Sequence, residues 1–178
     1  MSGVAQELVV EHHSIDERLA DVVAGLDEGE VRAEAFRAAA TELKHHIFVE
    51  EEHLFPPLRA AGMIPPVLVM LREHGEMWGV LEMIEGLLAA PSPDAAVLRE
   101  ACGRLMGQLD AHNLKEEQIL YPAADQTLAP QDQESVSTAL VDGDLPGDWR
   151  ASMAPPRWTA PVLGRAQGRG APFISREA

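Results

Sequence analysis

The chain has 178 residues and 19.3 kDa, enough for one domain with its own core and an appendage but short for two. It carries only eight aromatic residues (three Trp, one Tyr, four Phe), a poor supply for sheets, so an all-β fold is not expected. Its net charge of −15, from 14 basic and 29 acidic side chains, would repel a phosphate backbone and argues against nucleic acid as a partner. Cys102 stands alone, which excludes a disulfide framework or a cysteine-rich zinc site within one chain and fits a reducing compartment. Glu7 and Glu11 occupy the region where a secretory leader would be basic and then apolar, and no apolar run reaches membrane-spanning length. The expectation is a cytoplasmic protein with no membrane partner.

Four helices follow in chain order. In the first, Leu8, His12, Ile15, Leu19, Val22 and Leu26 recur at alternating steps of four and three, the stripe of a bundle helix. The second carries Phe36, Ala39, Leu43, His46, Glu50, Leu54 and Leu58 on a similar stripe, two of whose members are polar. The third begins at Pro65-Pro66, tolerated in a first turn, and runs Val67, Met70, His74, Met77, Leu81, Ile84, Leu88. The fourth starts near Ser92-Pro93-Asp94 and runs Leu98, Ala101, Leu105, Leu109, His112, Glu116, Ile119, Ala123. Short connections imply antiparallel neighbours, so the expected fold is all-α, an up-down-up-down four-helix bundle over residues 1–127.

Residues 128–178 read differently. Five basic and six acidic residues leave them nearly neutral, and stretches such as Gly164 to Pro172 offer Gly, Pro and Arg without apolar periodicity. An extended or disordered C-terminal tail, dispensable for any chemistry, is expected, with only Gln131 to Leu140 able to add a short helix.

The two halves of the bundle resemble each other. His46-x-x-x-Glu50-Glu51-x-x-Leu-Phe-Pro56 aligns without a gap to His112-x-x-x-Glu116-Glu117-x-x-Leu-Tyr-Pro122 at an offset of 66, and Glu11-His12-x-x-Ile15 aligns to Glu73-His74-x-x-Met77 at an offset of 62. Each half therefore supplies one histidine and then His-x-x-x-Glu, whose members lie on one helix face about a turn apart. One histidine on an apolar stripe is ordinarily a hydrogen-bonded core residue. Four histidines and two glutamates cost several kcal/mol apiece to bury unless each finds a partner. No Lys or Arg on these stripes can neutralise Glu50 and Glu116. Metal ions can, and imidazole with carboxylate suits iron, manganese or zinc. Six ligands exceed one tetrahedral ion, which points to two metals bridged by the carboxylates.

This duplicated signature resembles the hemerythrin HHE cation-binding family over about residues 5–125. The resemblance implies a non-haem di-iron centre with His12, His46, His74 and His112 as nitrogen ligands and Glu50 and Glu116 as bridging carboxylates. It also implies a small-ligand partner such as oxygen, nitric oxide or peroxide, since family members bind or sense oxygen, sense iron or react with such molecules. Two departures stand out. Trp78 occupies the position where oxygen carriers have a further histidine, and the carriers' fourth-helix carboxylate lies five residues past the histidine. Here Glu116 lies four past His112 and Glu117 five past; Glu116 is preferred because it shares the stripe. Asp16, four after His12, could fill the open position or be a solvated acid. With fewer neutral nitrogen donors the ferric state is favoured and reversible oxygen storage should be poor.

The other histidines fit less well. His13 and His45 are expected to face outward, and His53 to sit inside the rim and bond a group behind a ligand. Trp78, Phe55 and Tyr121 read as packing that screens the site, Tyr121 with a hydroxyl able to donate. A di-iron oxidase or peroxide-decomposing enzyme is a second functional class, and a metal-stabilised interaction module a third. The Glu-x-x-His pattern of ferritin-like sites occurs as Glu42-x-x-His45 and Glu50-x-x-His53 in the second helix, but Leu109 stands three residues before His112.

Overall fold

The apolar stripes become four long helices in a computed structural model, which describes residues 3–159. These are α1 (Val4–Asp27), α2 (Ala33–Val49), α4 (Ile64–Leu88) and α5 (Ala95–Lys115). Two shorter helices, α3 (Phe55–Ala60) and α6 (Tyr121–Thr127), prolong α2 and α5, each joined to its parent by one π-helical turn, Glu50–Leu54 and Glu116–Leu120. No strand occurs among the described residues, and none of their helices is long and apolar enough to cross a membrane.

Local chemistry sets the boundaries. Gly29 (φ 84°) and Gly62 (φ 94°) take left-handed conformations just past α1 and α3, which a side chain would disfavour. The Asp94 carboxylate caps α5 by accepting from the amides of Ala96 (2.9 Å) and Val97 (3.2 Å). The π turns also have a local cause. Pro56 and Pro122 follow them by two residues, lack an N–H, and in a regular α-helix would press on the carbonyl four residues back. A wider turn accommodates them, closed by the Phe55 amide on the Glu50 carbonyl and the Tyr121 amide on the Glu116 carbonyl, five residues back in each case.

In the bundle α1 packs on α2 and α5, and α4 on α5 and α2. Two apolar clusters fill the interior. One contains Ile15, Leu43, Ile47, Met77 and Leu109, and the other Leu8, Val49, Leu54, Phe55, Met70 and Leu120. His12 falls between Leu8 and Ile15 in α1, and His74 between Met70 and Met77 in α4. The polar stripe residues therefore form a layer sealed above and below by hydrocarbon.

The short helix expected within Gln131 to Leu140 is present, and both it and the chain beyond it, expected to be an extended or disordered tail, lie against the bundle. Residues Pro130–Asp142 form α7, which packs on the first π turn, α2 and α1 and places Val136 in the core. Beyond it the chain crosses α4, with Ala151 buried in the first apolar cluster and Trp149 and Ala154 packed against it. Composition gave no sign of this anchoring, because a few aromatic and small residues that pack on a bundle need no periodicity. The stretch Gly164 to Pro172 lies outside the described residues.

Candidate metal centre

All six stripe residues converge. Nitrogen or oxygen atoms of His12, His46, Glu50 and Glu116 lie within 4.8 Å of one another, and so do those of Glu50, His74, His112 and Glu116. The groups share both glutamates, and every member is buried. The imidazole pairs repeat the same arrangement, with ring centroids 4.8 Å apart and planes at 58° for His12 and His46, and 4.8 Å and 53° for His74 and His112.

Each carboxylate offers one oxygen to each half. Glu50 Oε1 lies 3.6 Å from His46 Nε2 while its Oε2 lies 3.2 Å from His74 Nε2. Glu116 Oε2 lies 3.3 Å from His12 Nε2 while its Oε1 lies 3.1 Å from His112 Nε2. Glu50 Oε2 and Glu116 Oε1 nonetheless accept no hydrogen bond of proper geometry. Fully buried carboxylate oxygens left without a donor are costly, and their placement between imidazole nitrogens is what two bridged cations require. The donor set fits a pair of metal ions.

Behind each imidazole stands a second carboxylate. Nδ1–H of His12 donates to Glu117 Oε1 (2.9 Å), of His46 to Glu11 Oε2 (2.8 Å), of His74 to Glu51 Oε1 (3.0 Å) and of His112 to Glu73 Oε2 (3.0 Å). Such bonds fix the tautomer, so every Nε2 faces the centre and gains basicity. The four pairs follow the repeat: Glu11 and Glu73, offset by 62, serve histidines offset by 66, and Glu51 and Glu117 do the reverse. The π turns make this possible, since a wider turn rotates less per residue and lets neighbouring Glu50 and Glu51 both point inward. Sequence reading missed Glu11, Glu51 and Glu73 in this role. The available signal was that each adjoins a ligand and recurs in the repeat.

Glu117 thus stands behind the His12 imidazole while Glu116 is central to both groups. The His112 bond, joined by Lys115, which donates to both oxygens of Glu73 (2.9 and 2.8 Å), outweighs burial and brings that carboxyl down to about 2.

Protons balance the buried charge. Burial opposes the imidazolium form of His12, but Glu116, Glu50 and Glu117 outweigh it and raise His12 to about 9. At His112 burial is again outweighed, by Glu116 and Glu73, and the value rises to about 10. His46 goes the other way, pushed down to about 4 chiefly by burial. Glu116, despite a burial that favours its neutral form, is held well below the usual carboxylate range by His112, His12 and His74. At His74 burial is likewise outweighed by Glu50 and Glu51, which raise it, so the cage without metal is a set of buried carboxylates neutralised by protonated imidazoles, His12 and His112 foremost.

Tyr121 belongs to this layer and not merely to the packing around it. Its hydroxyl donates to Glu50 Oε1 (2.8 Å) and lies 3.2 Å from Glu116 Oε2 and 2.9 Å from His12 Nε2. Burial, followed by the two carboxylates, raises the phenol well above its usual value. Its counterpart in the repeat, Phe55, stacks on His74 at 5.4 Å and offers no polar atom, so the two halves are chemically unequal. Tyr121→Phe is expected to destabilise the metal-free protein by about 1–3 kcal/mol, because a buried acceptor loses its donor. Denaturant unfolding in the presence of a chelator measures this, and an unchanged midpoint would show that the hydroxyl satisfies nothing.

The remaining candidates lie elsewhere. Asp16 enters neither ligand group; its carboxyl is partly buried and raised, first by that burial, beside Asp110, Glu117 and His12. His13 is exposed and His45 half-buried against Phe48. His53 does not reach a group behind a ligand, because its Nδ1 bonds Ser135 Oγ of α7 at 3.0 Å. Glu42 pairs with Arg18 at 2.6 Å, and of the pair Glu50 and His53 only Glu50 enters the centre, so neither Glu-x-x-His pair acts there as a unit. Trp78 packs edge-on against Trp149 and donates its Nε1–H to Glu82 (3.1 Å), filling the place of the carriers' further histidine without a ligand atom.

Comparison with known proteins agrees with this geometry. Neither the curated proteins nor the solved structures contain a match to the chain. The model of the hemerythrin HHE cation-binding domain matches residues 4–124, the stretch that holds all six converging residues and the four carboxylates behind them. The chain belongs to the hemerythrin HHE cation-binding domain family.

Proposed function

We propose that this protein is a non-haem di-iron member of its family, built on an up-down-up-down four-helix bundle, which binds or senses a small ligand such as oxygen, nitric oxide or peroxide. The observation that carries this reading is the pair of overlapping His2Glu2 groups, with one oxygen of each shared carboxylate turned to each half. His12 and His46 would hold one ion, His74 and His112 the other, and Glu50 and Glu116 would bridge them. A pair of iron ions so held supplies one-electron redox chemistry toward small oxidants. The chain's own part is to keep Nε2 of each histidine aimed inward, exclude water with the two apolar clusters, and place the Tyr121 hydroxyl beside one half only.

Sensing or reaction suits the site better than carriage, since Trp78 brings no further neutral donor and the negative shell of Glu11, Glu51, Glu73 and Glu117 favours the ferric state. Manganese or zinc would also satisfy the donor set. Cytoplasmic residence forms part of this reading, because a single cysteine can form no disulfide within the chain and so fits a reducing compartment.

Metal analysis of anaerobically purified protein, together with its optical spectrum after exposure to air, tests the proposal. About two irons per chain and near-ultraviolet absorption are expected. A protein that takes up no metal, or one colourless ion per chain, would overturn it.

A further inference from the structure

Resting on the two-metal reading, we propose that residues 149–158, which lie beyond the family domain, form a strap that positions Glu51 against His74 and so secures the His74–His112 half of the centre. The decisive contact is the Ser152 backbone N–H, which donates to Glu51 Oε2 at 2.8 Å while Glu51 Oε1 accepts from His74 Nδ1 at 3.0 Å. One carboxylate thus links the strap to a ligand. The Glu51 side chain is only 3% exposed. Its counterpart Glu117, which serves His12, is 34% exposed, and its side chain bonds no backbone amide among the described residues. The strap supports one half alone.

The fit of strap to helix is specific. On α4, a Cβ at Gly75 would meet the Met153 carbonyl oxygen at 2.2 Å, one at Gly79 would meet Pro155 Cγ at 2.8 Å, and one at Gly86 would meet Trp158 Cζ3 at 2.1 Å. The glycines have no other evident use in a helix interior, where each costs about 0.5–1 kcal/mol relative to alanine. Polar contacts complete the attachment. Arg150 forms a two-bond ion pair with Glu82 (3.0 and 2.9 Å), Trp149 donates to Glu52 (2.8 Å), and its ring meets Phe48 and Trp78 edge-on at 5.2 and 5.3 Å. Glu82 also receives the Trp78 indole N–H, so the tryptophan that stands where carriers have a histidine serves as part of the strap's seat. Carboxylates that orient metal-binding histidines are worth about 10–100-fold in metal affinity, and here that effect depends on a segment outside the bundle.

The test uses the full chain carrying Gly79→Leu and Gly86→Leu together. Both lie well past His74, leucine preserves the helix, and the added side chains displace Pro155 and Trp158. Removal of metal by a chelator, followed optically, should become biphasic, with one ion leaving about 10–100-fold faster than in the unaltered protein and the other at its usual rate. Ser152→Pro, which removes the N–H that Glu51 accepts and fixes φ at that residue, should speed the same phase, whereas Glu117→Gln should speed the other. Equal acceleration of both ions, or rates matching the unaltered protein in both strap variants, would overturn the inference. If the unaltered protein takes up no metal, the two-metal reading fails and the strap is judged on the metal-free protein by nitrogen-15 NMR. There, the variants should exchange the His74 Nδ1–H about tenfold faster than the unaltered chain and leave His12 unchanged, as loss of one buried hydrogen bond implies. Unaltered His74 exchange would overturn it.

Discussion

His112→Ala is expected to strip the centre of metal and to destabilise the protein whether or not metal is supplied, whereas His46→Ala should act strongly only on the metal-loaded form and His13→Ala on neither. The distinction follows from charge. His112, raised to about 10, is a cation beside Glu116 at 3.1 Å and Glu73 at 3.0 Å; without it Glu73 keeps Lys115, but fully buried Glu116 loses a principal imidazolium partner, at a cost of about 3–5 kcal/mol. His46, pushed down to about 4, is neutral in the metal-free cage and contributes packing and one bond to Glu11. In the loaded protein both supply a ligand, and a metal bound only by the folded state adds about 4 kcal/mol when its free concentration is a thousandfold above Kd. Exposed His13 does neither. Denaturant unfolding with and without a chelator, beside metal analysis, separates the cases. Equal losses for His112→Ala and His46→Ala in chelator would refute the charge argument, and metal-loaded His112→Ala would refute the ligand assignment.

How far the sequence reveals this site depends on which physical signal each residue leaves. The four long helices and all six converging residues were legible because a polar residue on an otherwise apolar stripe contradicts its own periodicity, and the repeat did so twice. Glu116 could be chosen over Glu117 on the same ground. The carboxylates Glu11, Glu51 and Glu73 lie one step off the stripe, where an acid is ordinarily solvated, and only the register between helices shows that each meets an imidazole. The π turns were signalled by Pro56 and Pro122, but the direction in which the chain would yield depends on the neighbouring helix. Tyr121 read as packing because an aromatic residue on a stripe is usually that. Trp149, Ala151 and Ser152 left no periodic trace, and Gly75, Gly79 and Gly86, which look like weak points in α4, acquire a reason only once the strap lies across them.

Stabilisation by metal should grow with pH above about 6.5, and the metal-free protein should be most stable near that value. His12 and His112 have folded values of about 9 and about 10 against an ordinary 6.5. Being raised, they contribute stability that is fully present below pH 6.5 and is lost as pH climbs through 9 and 10. His46, lowered to about 4, acts in the opposite sense: the unfolded chain binds its proton more readily, so stability falls as pH drops from 6.5 towards 4. The two slopes meet near 6.5. Metal binding reverses the alkaline limb, because Nε2 of His12 and His112 must shed their protons before coordinating, and each rise in pH lowers that cost. Uptake at pH 7 should therefore release at least about two protons per chain, since His12 and His112 are protonated there and His74, also raised, adds to them. Calorimetric titration of the metal-free protein in buffers of different ionisation enthalpy counts them, and melting temperatures taken with and without metal between pH 6 and 9 should diverge. Uptake without proton release, or a gap that narrows as pH rises, would mean that the buried carboxylates are not neutralised by these two histidines.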